Sequence, residues 1–252
     1  MATQPAPAPY NPGVPLKREW GTALSALRRL LANGDDTEQV FRIMRALNGD
    51  VTQRNYRRLL SSPAGGAIAY KRVELAERLT DRAWIDSFAT GTVGAAYRGF
   101  LDSTGYSADG LVEVSMTEFA NVQVDHPYTW MGRRERDIHD LWHVITGYKA
   151  DEHLGEACLV AFSYAQTGGL GWAFIGLGAA LKSIRVTGSL DFFKAVMEGY
   201  ARGKRAAWLH GEDYETLLAE PLDQVRRRLN IAEPVKYRIA QASLAAAGLK
   251  GI

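Results

Sequence analysis

Ile138-His139-Asp140-Leu141-Trp142-His143-Val144-Ile145, followed by Leu154-Gly155-Glu156, decides how this chain folds and what it can hold. Ile138, Leu141, Trp142 and Ile145 recur at i, i+3, i+4 and i+7, the spacing of one face of an amphipathic helix. His139 and His143 are one turn apart on a neighbouring face, so their imidazoles can converge on a single ion. Asp140, three residues before His143, can join them, support them by a hydrogen bond, or act as a base. Gly147 and Gly155 let the chain turn and bring Glu156 back in the first turn of a second helix. The predicted metal ligands are therefore His139, Asp140, His143 and Glu156. Two nitrogens with one or two carboxylates suit a divalent ion, zinc first, with iron(II) as the alternative. Arg136, three residues before His139 and four before Asp140, either offers a cation to an anionic substrate group or pairs with Asp140. Glu135, Asp137 and His153 read as surface charge.

The rest of the chain fits a helical protein. Its 252 residues are 46% hydrophobic, enough for a substantial core, and the formal net charge of +2 gives no footprint for nucleic acid. Arg226-Arg227-Arg228 reads as a solvated helix face or a contact for anionic headgroups. Cys158 is the only cysteine, which excludes an intrachain disulfide and a CxxC motif. Residues 1–15, with Pro5, Pro7, Pro9, Pro12 and Pro15, read as a disordered lead without the plan of a signal peptide or presequence. The expected location is accordingly cytoplasmic. Residues 16–252 read as one helical domain.

Ala157 to Leu181 carries no charged residue, a length that could span a bilayer. Ser163, Tyr164, Gln166, Thr167 and Gly168-Gly169 interrupt it, so two apolar helices joined at Thr167-Gly168-Gly169 and buried or lining a greasy cleft are expected instead. Gly171, Gly176 and Gly178 suit close helix packing. Amphipathic helices are predicted over Trp20–Leu31 and Thr37–Leu47, separated by Asn33-Gly34-Asp35. Another is predicted over Leu190–Trp208, with Phe193, Val196, Met197 and Tyr200 on one face. A last one starts near Pro221 and carries Leu222, Val225 and Leu229 inward. His126, Tyr128 and Trp130 form an aromatic loop around Pro127. No alternating run of strand length occurs, so the fold class is all-α, a single helical domain with a metal site and an apolar lipid groove.

The metal motif, Gly155-Glu156 and Ala165-Gln166-Thr167-Gly168 together resemble the coenzyme Q biosynthesis protein 4 family, whose hallmark is HDxxH, an eleven-residue gap and Glu. Val144 to Gly155 makes the gap one residue longer here, and Lys149 to His153 is where the extra residue is expected. Ser61-Ser62-Pro63-Ala64-Gly65, Gly91-Thr92-Val93-Gly94 with Tyr97 and Phe100, Arg133, and Glu220-Pro221-Leu222 with Arg226, Leu229 and Ile231 extend the likeness. The resemblance implies an all-helical fold, zinc at the motif, and a groove for a polyprenyl chain along Ala157 to Leu181 and the following helix. Gln166, Gly169, Trp172 and Phe174 are its expected substrate-binding residues. It implies oxidative decarboxylation at ring carbon C1 of a prenylated precursor, with Asp140 and Arg136 as catalytic residues. The alternative it carries is a non-catalytic scaffold that organises the other biosynthetic enzymes around the lipid. Expected partners are a polyprenylated aromatic or isoprenoid lipid, those enzymes, a second copy of the chain, and the membrane, peripherally on the inner face of the cytoplasmic membrane.

Overall fold

The computed structural model describes residues 17–34, 36–106, 126–246 and 248. The proline-rich lead and Asp35 lie outside the described residues. Among those described, the regular structure is helical, joined only by an isolated antiparallel bridge between Thr92 and Pro221. The helices are α1 (Trp20–Ala32), α2 (Thr37–Leu47), α3 (Val51–Leu60), α4 (Pro63–Lys71), α5 (Leu75–Thr80), α6 (Arg82–Asp86) and α7 (Val93–Thr104). They continue as α8 (Pro127–Asp137), α9 (His139–Thr146), α10 (His153–Thr167), α11 (Leu170–Thr187) and α12 (Asp191–Arg205). A 3-10 turn at Leu209–Gly211 precedes α13 (Tyr214–Leu217), α14 (Leu222–Arg228) and α15 (Val235–Ala246).

α10 is the central element because it is apolar nearly all round, with Leu154, Ala157 to Ser163, Gln166 and Thr167 all buried. α12 lies against it at backbone distance. A Cβ on Gly199 would stand 2.4 Å from the Cys158 carbonyl oxygen, and one on Gly203 would stand 2.6 Å from that of Phe162. This glycine pair turns Phe192, Ala195, Val196 and Arg202 inward and leaves Met197 exposed, so the predicted Phe193–Val196–Met197–Tyr200 face is rotated, Val196 alone being fully buried from it. The same helix ends at Arg205 rather than Trp208, where the chain bends and the Ala207 amide bonds the Leu229 carbonyl.

α11 follows α10 through Gly168, which adopts φ +73 as the predicted Thr167-Gly168-Gly169 junction requires. Gly171 lets it approach Met44 of α2, and Gly178 lets it approach Leu27 of α1. Gly176, by contrast, sits at ordinary contact distance from Val160. α14 starts after Pro221 and buries Val225 as expected, with Leu229 just beyond its end, but it is not the last helix: α15 follows and packs on α12 through Tyr237 and Ala240. The expected aromatic loop is the start of α8, where His126 caps the Tyr128 amide and Trp130 is buried with its indole N–H donating to the Val73 carbonyl.

Candidate metal centre

The predicted stripe fixes α9. Ile138, Leu141, Trp142 and Ile145 are all buried in the main core, and the Trp142 indole donates to the Tyr214 hydroxyl at 2.6 Å. The far end of the helix is held by two arginines. Arg226 donates to the Ile145 and Val144 carbonyls at 2.9 and 3.0 Å, and Arg202 to the Thr146 carbonyl at 2.8 Å. These are carbonyls that a helix C-terminus leaves without an internal partner, and a cation there also suits the helix dipole. Of the basic triplet, Arg226 is spent on α9, Arg228 pairs with Glu212 and Glu220 while remaining exposed, and Arg227 is exposed, so the last two form the solvated part of the face.

Gly147, at φ +79, ends α9, and the chain returns through Tyr148 and Lys149 to the start of α10. Gly155 serves by close approach rather than by turning: a Cβ there would lie 1.9 Å from the Lys149 carbonyl oxygen. Glu156 thus emerges in the first turn of α10. Its Oε1 is 3.2 Å from His143 Nε2 and its Oε2 is 3.5 Å from His139 Nε2. One ligand atom from each of His139, His143 and Glu156 lies within 4.8 Å of the others.

These residues fit a metal ion. His143 Nδ1 is 3.0 Å from the Tyr148 carbonyl, which fixes the proton on that nitrogen and leaves Nε2 as a lone-pair donor. That Nε2 is buried and makes no hydrogen bond among the described residues. Burial alone would raise the Glu156 carboxyl, but the two imidazoles overcome it and hold the group well below the usual range. Burial opposes charging of His139, yet Glu156 and then Asp140 raise it. The surroundings of Glu156 thus favour its carboxylate, the form that ligates a cation. Three candidate ligands, with the Glu156 side chain still 39% exposed, are the number that leaves one position free in a four-coordinate site.

Asp140 is buried beside the centre and raised by that burial, but its carboxylate is not among the converging atoms. Arg136 pairs with Asp137 at 2.6 Å rather than with Asp140. Asp137 itself is buried and accepts the Ala76 amide at 3.2 Å, so the surface reading of Asp137 is overturned. Glu135 is overturned likewise. Its Oε1 is 3.4 Å from Trp172 Nε1 and its Oε2 is 3.9 Å from His210 Nε2, and burial pushes its carboxyl up to about 7. His153 is exposed as expected.

Aromatic rings flank both imidazoles: Trp172 stacks on His139 with 5° between planes and centroids 6.0 Å apart, and Phe100 stacks on His143 at 6.1 Å. Of the four predicted substrate residues, Trp172 alone reaches the metal centre through such a contact. Gln166 bonds the Gly203 carbonyl and the Leu209 amide, Gly169 packs on Asn48, and Phe174 makes an edge contact with Trp20. The stretch Ala157 to Ser163 is sealed in the core, whereas Leu177 and Leu181 of α11 are exposed. Phe100, Glu135 and His210 escaped sequence reasoning as site residues. Glu135 left a signal in its place one turn before His139, and Phe100 in the family-like segment around Gly91-Thr92-Val93-Gly94; His210 left none.

The model of the coenzyme Q (ubiquinone) biosynthesis protein Coq4 family matches residues 13–235. The mitochondrial ubiquinone biosynthesis protein COQ4 homolog of Danio rerio is 29% identical over 186 residues, 73% of this chain and 65% of that protein. Its Scheffersomyces stipitis counterpart, also named mitochondrial, is 27% identical over 191 residues, 75% of this chain and 57% of the relative. The chain thus spans 65% or less of the length of these two relatives. A crystal structure from Nostoc punctiforme PCC 73102, titled as a ubiquinone biosynthesis protein, superposes with a TM-score of 0.61 at 20% identity, over 86% of this chain and 100% of that one, and supports the fold. The mitochondrial naming of the relatives overturns the expected cytoplasmic location and its cytoplasmic-membrane face. No helix among the described residues is long and apolar enough to cross a membrane.

Proposed function

Because the chain belongs to the coenzyme Q (ubiquinone) biosynthesis protein Coq4 family, we propose that it acts in ubiquinone biosynthesis as a metal-dependent enzyme. Its reaction is oxidative decarboxylation of a prenylated hydroxybenzoate, replacing the C1 carboxylate by a hydroxyl. The observation that carries this reading is the convergence of His139, His143 and Glu156 with aromatic walls on both imidazoles. A scaffold that only presents a lipid has no use for ligands gathered in this way.

A divalent ion, zinc by the ligand set and iron(II) as the alternative, would supply a Lewis acid for the substrate carboxylate and the charge that develops on the ring. His139, His143 and Glu156 would hold it. Trp172 and Phe100 exclude water from two sides and offer flat apolar surface to a ring. Asp140, whose carboxyl burial raises above the usual carboxylate range, stands beside the ligands where it can take up or return a proton. Arg136 screens Asp137 and keeps that second buried carboxylate from repelling a substrate anion. The prenyl tail would follow α11 past Phe174 toward Leu177 and Leu181, gaining about 0.8 kcal/mol per buried CH₂. Gln166 and Gly169 support that path by fixing the α10–α11 corner.

The test is conversion by the purified, metal-loaded protein of a prenylated hydroxybenzoate with oxygen, read as the C1-hydroxylated product and released carbon dioxide. His139→Ala should abolish it while leaving lipid binding. A folded, metal-loaded protein that converts nothing alone, yet restores ring modification when other biosynthetic enzymes are added, would make it a scaffold.

A further inference from the structure

Half-buried Glu135 and fully buried His210, which the proposed reaction does not use, lie beside Trp172, which it uses as an aromatic wall. His210 is 0% exposed, lies 4.9 Å from the Trp142 ring and 5.6 Å from that of Trp208, and neither ring nitrogen has a hydrogen-bond partner among the described residues. A fully buried imidazole without a partner is costly, and it faces a carboxyl just beyond hydrogen-bonding distance. The other oxygen of that carboxyl accepts the indole N–H of Trp172, whose ring lies flat against a metal ligand.

We propose that Glu135 is a positioning residue that holds the Trp172 indole against the His139 imidazole, and that the proton on its carboxyl decides whether it does. The inference rests on the reading of His139, His143 and Glu156 as metal ligands. As a carboxylate, Glu135 has only acceptor oxygens, and the indole N–H is the donor within reach, so the charge-assisted bond clamps Trp172 and with it the ligand ring. As a carboxylic acid it gains a donor. His210 Nε2 is then the acceptor nearby, and a small rotation that closes the 3.9 Å gap loosens the contact with Trp172.

The charges around the pair keep the proton on the glutamate. His210 is pushed down to about 3 by burial and then by Arg134 of α8 and Arg58 of α3, so it stays neutral. The Glu135 carboxyl answers only to burial, which raises it to about 7, and to the Trp172 N–H, which pulls it back. Arg136, the neighbouring cation, is bonded to Asp137. The two states therefore exchange near neutral pH.

The experiment uses the full chain, with zinc alone as the ligand, in wild type, Glu135→Gln and Trp172→Phe. Without metal, the tryptophan difference spectrum of wild type should titrate between pH 6 and 8, within about one unit of the carboxyl value. That component should vanish in both variants. With zinc, measured by chelator competition, the ratio of wild-type to Glu135→Gln affinity should be near one at pH 6 and rise about tenfold by pH 8.5, the scale of a residue that orients a ligand. Trp172→Phe, which keeps an aromatic ring but loses the N–H, should show the same profile. A tryptophan titration that survives in Glu135→Gln, or an affinity ratio that does not change with pH, overturns the proposal. If zinc binds none of the proteins, the metal reading fails, and the metal-free titration still decides whether Glu135 clamps Trp172.

Discussion

Gly155→Ala is the substitution that tests how the ligands are brought together. The added methyl would lie 1.9 Å from the Lys149 carbonyl oxygen and 2.8 Å from its amide nitrogen, both backbone atoms. About 1 Å of movement is needed before such a contact is tolerable, because carbon and oxygen repel steeply inside about 3 Å. The Lys149 segment has little freedom to retreat. Its amide is bonded to the Tyr237 hydroxyl at 3.1 Å, and the preceding carbonyl, of Tyr148, holds His143 Nδ1 at 3.0 Å. If the loop moves, His143 loses its orienting bond. If α10 moves, the Glu156 oxygens leave their places 3.2 and 3.5 Å from the imidazole nitrogens, and metal sites tolerate only about 0.2 Å of error in ligand distance. Overpacking of this kind costs about 1–3 kcal/mol, and losing the orientation of a ligand costs about 10- to 100-fold in metal affinity. At about 2–4 °C per kcal/mol for a chain of this size, the melting temperature of the metal-free protein should fall by roughly 2–12 °C. Chelator competition for zinc and thermal melts of the apo-protein measure the two effects. Gly176→Ala is the control, since its nearest neighbour would be 3.6 Å away, and it should bind zinc as wild type does. If Gly155→Ala also binds zinc within twofold of wild type and melts unchanged, close packing at Gly155 is not what sets the position of Glu156.

Elemental analysis should find one divalent ion per chain, lost in His143→Ala and in Glu156→Ala; retention in both would dismiss the centre. Asp140→Asn should keep the ion, with about 10- to 100-fold weaker binding, because its carboxylate stands beside the cluster rather than in it. Complete loss of metal from that variant would make Asp140 a ligand. Burial raises Glu135 from 4.5 to about 7, so the folded protein binds more protons than the unfolded one between these values. Stability should therefore fall as pH rises through that window, by about 3 kcal/mol at most, and Glu135→Gln should remove this part of the pH dependence in denaturant titrations. An unchanged profile in the variant would contradict the burial argument. Gly66→Ala, in α4 with open space around the new methyl, should stabilise the protein by about 0.5–1 kcal/mol, and a loss of stability would show a contact that the structure lacks.

The parts of the site written in local spacing were readable from the sequence. The α9 stripe, the histidine pair and the return to Glu156 follow from helix periodicity and from Gly147, and Glu156 reaches both imidazoles across the longer gap. The helical class followed from the same periodicity and from the lack of alternating runs. What failed was burial decided at long range. Glu135 looked like surface charge because acidic residues usually are, and only the closure of α11 and the 3-10 turn over α8 makes it a half-buried partner of Trp172 and His210. Phe100 reaches His143 from α7, and although its segment carries part of the family likeness, nothing in its spacing pointed to the imidazole. The arginine triplet showed its charges but not the register of α14 against α9, which sends Arg226 to the Ile145 carbonyl. Gly199 and Gly203 are spaced four apart in plain view, yet they sit in a helix rich in charge, where close backbone packing is not the first reading.

The arginines that close the end of α9 also impose an order on the birth of the protein. Thr146 waits for Arg202, 56 residues further on, and Ile145 waits for Arg226, 81 residues further on. While the chain is being synthesised, both histidines and the glutamate leave the ribosome well before the groups that secure their scaffold. A nascent or prematurely terminated chain carries every ligand and lacks the support that gives them a common geometry. On the metal reading, fragments ending before Arg226 should therefore take up zinc poorly even with His139, His143 and Glu156 intact.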